Sequence, residues 1–165
     1  MTEHPVRRKD RQLSLEETWQ VVQRGTHGVL CLTDADGWPY GVPMNYAVSK
    51  GRLYLHCAKA GHKLEALAQN DRACFTIVTQ AQVVPEHITT LYESAMVFGT
   101  VRLVTEAQEH DAALAALIDT LGQVSPAIRD QYIAKKSKNT AVLALTPLRL
   151  TGKASRSYIP VTQRM

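Results

Sequence analysis

The sequence predicts an α+β domain in which a six-stranded antiparallel sheet closes into a small barrel, with its helices at the periphery. Three observations indicate this class. Short apolar runs are joined by tight turns, which is typical of antiparallel strands. Segments with helical periodicity occur before the first run and between later ones. No linker-like stretch divides the 165 residues, a length that suits one core, and closure would remove the edges of the sheet.

Composition narrows the class of protein. Hydrophobic residues make up 45% and charged residues 21%, as in ordinary globular proteins. The net charge of +4 is concentrated in basic clusters at residues 7–11 and 135–138. Nucleic-acid or membrane binding is one reading of such clusters, but basic and aromatic residues do not interleave as they do in single-strand binders. We therefore expect solvated faces or a site for a phosphorylated small molecule, without a nucleic-acid or membrane partner.

The cysteines and the termini indicate a cytoplasmic protein. Cys31, Cys57 and Cys74 are odd in number, lie in apolar runs and form no metal-binding spacing. They are expected to be free, buried thiols in a reducing compartment. The charged N-terminus does not resemble a signal peptide, and no apolar run reaches the roughly 18 to 20 residues that span a bilayer.

The first half of the chain predicts a helix and three strands. Residues 1–13 are polar and are expected to form an arm. Ser14 and Glu17 form a capping box for a helix that should end near Gly25 and bury Leu15, Trp19 and Val22. Strands are expected over residues 28–33, 39–48 and 52–58, with turns at 34–37 and 50–51. The prolines of the second strand predict an edge position or a bulge.

The second half predicts three more strands and three helices. A helix is expected over residues 62–69, followed by strands at 73–79, 92–104 and 140–154, the last interrupted at Pro147. The stretch from 80 to 91 should be irregular. Thr105 and Gln108 resemble a capping box before a helix with apolar residues at 114, 117, 118 and 121, and Ser125-Pro126 should begin another helix. The domain is thus expected over 14–155, with a polar tail at 156–165.

The turn between the third predicted strand and the helix that follows it has features that favour anion binding. The strand ending at His56-Cys57-Ala58 leads through a small-residue turn to Gly61-His62-Lys63, which begins a helix. Unpaired amides and the positive end of the helix dipole converge at such a point, and Lys63 adds a charge. The alternative is an ordinary strand–helix connection with a turn glycine and a solvated lysine.

Several motifs together resemble the FMN-binding split β-barrel proteins of the pyridoxamine-phosphate-oxidase-like superfamily. They are RRKDRQLS, DGWPYGVPMNY, LYLHCAKAGHKLEAL, NDRACFTIV, YESAMVFGTVRLV and LTGKA, and they extend from Arg7 to Ala154. Within that superfamily the chain is most similar to the 5-nitroimidazole-resistance (Nim-type) flavoproteins. The fold that the resemblance implies is a six-stranded antiparallel split β-barrel.

The resemblance also implies a homodimer that holds FMN at the subunit interface. The phosphate contacts would come from His62 and Lys63, with backbone from Cys57 and Ala58. The remaining implied cofactor contacts are the isoalloxazine contacts Val42, Pro43, Met44, Asn45 and His56, and Glu93 and Ser94, which would approach the flavin across the dimer.

Departures from the oxidases argue against pyridoxamine phosphate as the substrate. Those enzymes carry an arginine and a lysine on the second strand, a Ser-Arg-Lys triplet before the helix and a C-terminal Trp-Arg segment. This chain has Tyr40, Asn45 and Gly61-His62-Lys63 instead. A histidine at the middle of the last triplet is a mark of the Nim-type proteins, where it lies near the flavin. His62 is therefore the candidate catalytic proton donor, the alternative being a structural or phosphate-facing imidazole.

Two classes of function remain open at this point. The first is an FMN-dependent oxidoreductase that reduces a small aromatic or heteroaromatic substrate such as a 5-nitroimidazole. The second is a flavin carrier or sensor without turnover, and a related oxidase with another substrate is a further alternative. The fold alone does not choose between them. No metal site is expected.

Overall fold

A computed structural model describes residues 4–155, which form four α-helices, seven strands and short 3₁₀ turns. The helices are α1 Leu15–Arg24, α2 His62–Gln69, α3 Ala107–Asp119 and α4 Pro126–Lys136. The strands are β1 His27–Thr33, β2 Pro39–Asn45, β3 Ala47–Ser49, β4 Arg52–Ala58, β5 Arg72–Val84, β6 Thr89–Leu103 and β7 Thr140–Ser155. None of the described helices is both long enough and apolar enough to span a membrane.

The strands of the described chain form a sheet in the order β2-β1-β5-β6-β7-β4-β3. The pairs β1–β2, β1–β5, β3–β4 and β4–β7 are antiparallel, so the α+β class with an antiparallel sheet is confirmed. Strand β2 is the first strand in this order and so lies at one edge of the sheet, which confirms the edge position expected from Pro39 and Pro43.

The prediction of six strands is wrong, because the run from residue 39 to 48 is two strands. Tyr46 separates them: its side chain is fully buried and meets Phe75 edge to face at 5.0 Å between ring centroids. The Tyr46 amide donates to the Thr26 carbonyl at 3.3 Å. Residues before Tyr46 pair with β1 and residues after it pair with β4. One extended run of sequence therefore forms two strands that pair with different neighbours.

The described residues divide into two compact units. The first unit contains residues 4–25, Ile77–Met96 and residues 150–155; the second contains Thr26–Thr76 and Val97–Arg149.

In the first unit, the capping box that begins α1 is confirmed. The Ser14 hydroxyl accepts from the Glu17 amide at 3.1 Å, and the Ser14 amide donates to the Glu17 carboxylate at 2.9 Å. The helix ends before Gly25, as expected. The end of the predicted arm is paired, since the Leu13 amide donates to the Gly152 carbonyl at 3.0 Å.

The buried face of α1 differs from the expected one. Leu15 is exposed and Trp19 half-buried, whereas Thr18 and Val21 are buried with Val22. The Thr18 hydroxyl donates to the Ser14 carbonyl at 2.7 Å, so a polar residue can occupy this interior position with its hydrogen bond satisfied.

The prediction of an irregular stretch from 80 to 91 is also wrong. Strand β5 continues to Val84 and β6 starts at Thr89, with the 3₁₀ turn Pro85–His87 between them. Most residues of β5 beyond Val78 are exposed, so the apolar alternation that identifies a strand is missing there.

In the second unit, α3 packs its apolar face on the sheet. Leu114 and Leu117 are buried with Tyr54, Val142 and Ala144. The expected cap at Thr105 and Gln108 is wrong: the carboxylate of Glu106 caps the helix, accepting from the amides of Gln108 at 2.8 Å and Glu109.

The later elements agree with the sequence except at Pro147. The Ser125 hydroxyl accepts from the Ile128 amide at 3.5 Å and begins α4 as expected. Strand β7 continues through Pro147 without the expected interruption. Gly99 has no room for a Cβ, which would strike the carbonyl oxygen of Thr146, so glycine at this position allows two backbones to approach closely.

Candidate functional site

The turn between β4 and α2 leaves helix amides without acceptors. Gly61, the N-cap of α2, provides no side chain and has φ of 122°, a conformation that favours glycine. The amides of Leu64 and Glu65 donate to the Gly61 carbonyl at 2.9 and 3.3 Å. Within residues 4–155, the amides of His62 and Lys63 have no such bond, so this end of α2 presents two N–H groups and the positive end of the helix dipole.

A cavity of about 450 Å³ lies beside this turn. It brings together eight of the eleven site residues suggested by the sequence: Val42, Pro43, Met44, Asn45, His56, Cys57, Ala58 and Lys63. We call it the strand cavity, because β2 and β4 supply seven of these eight residues. Its volume lies within the range of small-molecule sites.

Two further residues of this cavity were missed from the sequence. They are Asn139, the last residue of the 3₁₀ turn before β7, and Thr140, the first residue of β7. Strand register brings them there, since Ala58 pairs with Thr140 across β4 and β7. No local sequence pattern indicates a pairing between residues so distant in the chain. These two residues could be assigned to the site only if the register of β4 with β7 were known.

The strand cavity is electropositive. Lys63 is half-buried in its wall, makes no ion pair within residues 4–155, and no carboxylate lines the cavity. Burial raises the pKa of the Cys57 thiol, while the nearby Lys63 ammonium acts in the opposite direction. The thiol thus stays protonated near neutral pH, and the protonated form is the unreactive form of a cysteine side chain.

Side chains at the rim are held by hydrogen bonds. The Asn45 amide group donates to the Thr26 carbonyl at 3.2 Å. The Thr140 hydroxyl donates to the Lys136 carbonyl at 3.0 Å, and the Thr140 carbonyl accepts from His110 Nε2 at 2.9 Å. These bonds fix the orientation of the wall before any ligand binds.

His62 does not line the strand cavity. Its ring lies against Tyr40 with centroids 4.3 Å apart and planes tilted by 31°, and its Nε2 is 3.7 Å from the Asp34 carboxylate. Successive residues of a helix point about 100° apart, so His62 and Lys63 diverge. Asp34 is held in turn by the amides of Asp36 and Trp38, which donate to its Oδ1 at 3.0 and 2.8 Å.

Glu93 and Ser94 lie on β6 in the first unit, and their polar atoms have partners there. The Glu93 carboxylate accepts from Arg24 Nη2 at 2.7 Å and from the Thr79 hydroxyl at 3.5 Å. The Ser94 hydroxyl donates to the Lys153 carbonyl at 3.5 Å.

A second cavity of about 310 Å³ lies between α3 and α4 in the second unit. We call it the helical cavity; its lining residues are Asn45, His56, Leu114, Leu117, Ile118, Leu121, Val124, Ile128, Arg129, Tyr132 and Thr140. The sequence indicated part of this set only as the apolar face of a helix. Asn45, His56 and Thr140 also line the strand cavity, so the two cavities are adjacent.

The described residues contain no cluster of three or more metal-ligating side chains. Cys31, Cys57 and Cys74 are free, as expected, but each is only half-buried.

Comparison with known proteins identifies the family. The sequence profile of the pyridoxamine 5'-phosphate oxidase family matches residues 14–154. The chain therefore belongs to that family. No curated protein gives a significant sequence match.

Solved structures with the same fold include a Nim-type protein. A proposed 5-nitroimidazole antibiotic resistance protein from Bacteroides thetaiotaomicron is 26% identical, with a TM-score of 0.72 over 86% of this chain and 85% of that one. A conserved hypothetical protein from Mycobacterium tuberculosis is 16% identical, with a TM-score of 0.78 over 96% and 99% of the two chains. An FAD-binding protein from Mesorhizobium loti is 20% identical, with a TM-score of 0.64 over 88% and 97%.

Proposed function

We propose that this protein binds FMN in the strand cavity and is an oxidoreductase that reduces small aromatic or heteroaromatic compounds such as a 5-nitroimidazole. The observation that carries the proposal is the combination of a half-buried lysine, an uncapped helix N-terminus and an extended strand wall around one cavity. Membership of the oxidase family and the FAD-binding structural neighbours support a flavin as the ligand.

The groups that line the cavity fit one phosphate and one planar ring. A phosphate monoester carries a charge of about −1.5 to −2 near neutral pH and accepts several hydrogen bonds. Lys63 offers one cation, and the amides of His62 and Lys63 offer donors beside it. Val42, Pro43 and Met44 supply an apolar wall for a ring. A single lysine and one helix end match the monophosphate of FMN better than the diphosphate of FAD.

In this proposal each element of the chain has a separate task. Lys63 and the start of α2 hold the phosphate, together with the backbone of Cys57 and Ala58. Residues 42–45 and His56 orient the ring system. Flavin, when bound, supplies reversible hydride and electron transfer that protein side chains do not provide.

His62 is proposed as the proton donor that acts near the substrate. The Asp34 carboxylate lies 3.7 Å from its Nε2, and the Tyr40 ring packs against it from one side. The side chain is half-exposed, so it can exchange protons with solvent. Its divergence from Lys63 argues against the alternative in which both residues contact the phosphate.

The proposal includes a homodimer with FMN at the subunit interface, as the family resemblance implies. Glu93 and Ser94 would then reach the flavin of the other subunit. Sedimentation of the flavin-loaded protein tests the dimer.

The function is tested with the purified protein. Its visible spectrum should show bound flavin, and mass spectrometry of the released cofactor should identify FMN rather than FAD. Anaerobic NADH or NADPH should bleach the spectrum by delivering two electrons, and a 5-nitroimidazole should restore it while being reduced. Bound flavin that no donor reduces would indicate a carrier. A colourless protein that does not take up added FMN would refute the proposal.

A further inference from the structure

We propose that the helical cavity is the substrate site, and that it accepts a planar apolar ring carrying one hydrogen-bond-accepting group, such as a nitro or carboxylate group, directed at Arg129. This inference rests on the proposed function, because it assigns the substrate of the flavin in the adjacent strand cavity.

The walls of the helical cavity select an apolar ring. Leucine, isoleucine and valine side chains of α3, α4 and the segment between them form most of its surface; they are Leu114, Leu117, Ile118, Leu121, Val124 and Ile128. Two of them, Leu121 and Ile128, are 72% and 62% exposed. Large apolar side chains exposed around a concave site are typical of ligand binding, since a ligand removes them from water.

Arg129 provides the polar end of the site. Its side chain is 28% exposed, against 56% for Asp119 and 70% for Asp130, its two ion-pair partners. Those pairs are long, at 3.4 and 3.5 Å, and use Nη1 and Nε. The guanidinium has further donors for a ligand, while the two carboxylates balance part of its charge. An acceptor with little or single negative charge therefore fits better than a phosphate.

The position of the cavity connects it with the proposed flavin site. Asn45, His56 and Thr140 line both cavities, so their side chains form the boundary between them. A ring in the helical cavity would lie next to a flavin in the strand cavity without displacing it. Reaction between two bound rings requires this kind of close placement.

The test uses 4-nitrobenzoate as the probe and nitrobenzene as a second probe without the carboxylate. Binding is measured by saturation-transfer NMR and calorimetry, with FMN-free and FMN-loaded protein, so the readout does not depend on turnover. Leu121→Asn removes apolar surface from the cavity. Leu15→Asn is the matched control, because Leu15 is 70% exposed and does not line the cavity.

Leu121→Asn should weaken both probes about fivefold, as expected for loss of part of an apolar contact, and Leu15→Asn should leave them unchanged. Arg129→Gln should weaken the binding of 4-nitrobenzoate about tenfold, as expected for the loss of a charge-assisted hydrogen bond. It should weaken the binding of nitrobenzene less. Arg129→Lys should restore part of the loss. Saturation of the strand cavity with FMN should not displace either probe.

Two results would overturn the inference. In the first, the probe still binds to Leu121→Asn and Arg129→Gln but no longer binds to Lys63→Met. That result would place the probe in the strand cavity. In the second, none of these variants changes the binding of the probe, and Leu121→Asn abolishes self-association of the protein. That result would make this face a contact with a second copy of the chain. If FMN does not bind but binding of the probe still depends on Arg129, the proposed function is refuted, while the helical cavity remains a binding site for the ring.

Discussion

At the scale of single residues, Lys63 carries the charge of the proposed flavin site. It is half-buried beside two helix amides without acceptors, and no ion pair within residues 4–155 competes for its ammonium group. Lys63→Met should weaken FMN binding about 10- to 100-fold, because a charge-assisted hydrogen bond contributes roughly 1.5 to 3 kcal/mol. Quenching of flavin fluorescence on titration measures this affinity.

Lys59→Met is the matched control for Lys63→Met. Lys59 lies four residues earlier, is exposed and does not line the strand cavity. Its loss should change the affinity for FMN by less than about twofold, as for a remote surface charge in physiological salt. Equal effects of the two variants would assign the lysine contribution to net charge rather than to a built site.

His62 and Asp34 form a second testable pair. His62→Ala should lower turnover by about 10- to 1000-fold, the usual range for a general acid, while the affinity for FMN changes little. Asp34→Asn retains the oxygen that accepts from the Asp36 and Trp38 amides but loses the charge facing His62. It should therefore lower turnover with the turn intact. Steady-state kinetics and flavin titration separate the two quantities, and parallel losses in His62→Ala would assign His62 to cofactor binding.

We expect Tyr46 to make the free energy of unfolding fall at alkaline pH. Burial raises the pKa of its phenol above the ordinary value of 10.0. Because the folded pKa lies above the unfolded one, the contribution is complete below about pH 10 and is lost as the pH rises further, by up to about 1.4 kcal/mol per pH unit. Urea unfolding between pH 9 and 11 should show this decline. Tyr46→Phe should flatten it, and an unchanged slope would contradict the assignment.

At the scale of elements, α1 is stabilised at its start by a complete capping box. Both reciprocal bonds between Ser14 and Glu17 are formed, at 3.1 and 2.9 Å. Ser14→Ala should therefore lower the free energy of unfolding by about 0.5 to 2 kcal/mol. Ser125→Ala, at the start of α4, should cost less because its capping bond is long, at 3.5 Å. Denaturant midpoints of the two variants test the order, and the reverse order would be inconsistent with these caps.

Local signals in the sequence were sufficient for some elements and insufficient for others. The Ser14 cap and the bounds of α2 depend on neighbouring residues, and both were predicted correctly. The division at Tyr46 depends on a ring contact with Phe75, which is distant in the chain. The exposed half of β5 has no apolar alternation to detect. The sequence thus predicts elements well where their causes are local.

The same distinction applies to the candidate site. The residues from 42 to 45 and from 56 to 63 lie in contiguous motifs, and eight of those named line one cavity. Asn139 and Thr140 reach it through the register of β4 with β7. The helical cavity depends on how α4 packs beside α3. Neither strand register nor helix packing can be read from one sequence motif, so these parts of the site were missed.

At the scale of the whole molecule, both cavities lie within the second unit. A ligand that binds only the folded chain shifts the unfolding equilibrium by RT ln(1 + [L]/Kd). Flavin binding should therefore be visible in the stability of the protein without any turnover. The phosphate contribution can then be measured by comparing FMN with riboflavin, which has the same ring system and no phosphate.

FMN at about 100 times its Kd should stabilise the fold by about 2.7 kcal/mol, which raises Tm by about 5 to 10 °C for a chain of this size. Riboflavin at the same concentration should give a smaller rise, since Lys63 and the uncapped end of α2 then have no anion to bind. In Lys63→Met the difference between the two ligands should shrink, because the phosphate loses its contact with the Lys63 ammonium group, while the riboflavin shift should stay the same. Differential scanning calorimetry of both proteins with both ligands measures all four shifts. Equal shifts for FMN and riboflavin in the unmodified protein would place the phosphate outside the β4–α2 turn, even if the ring binds the strand cavity.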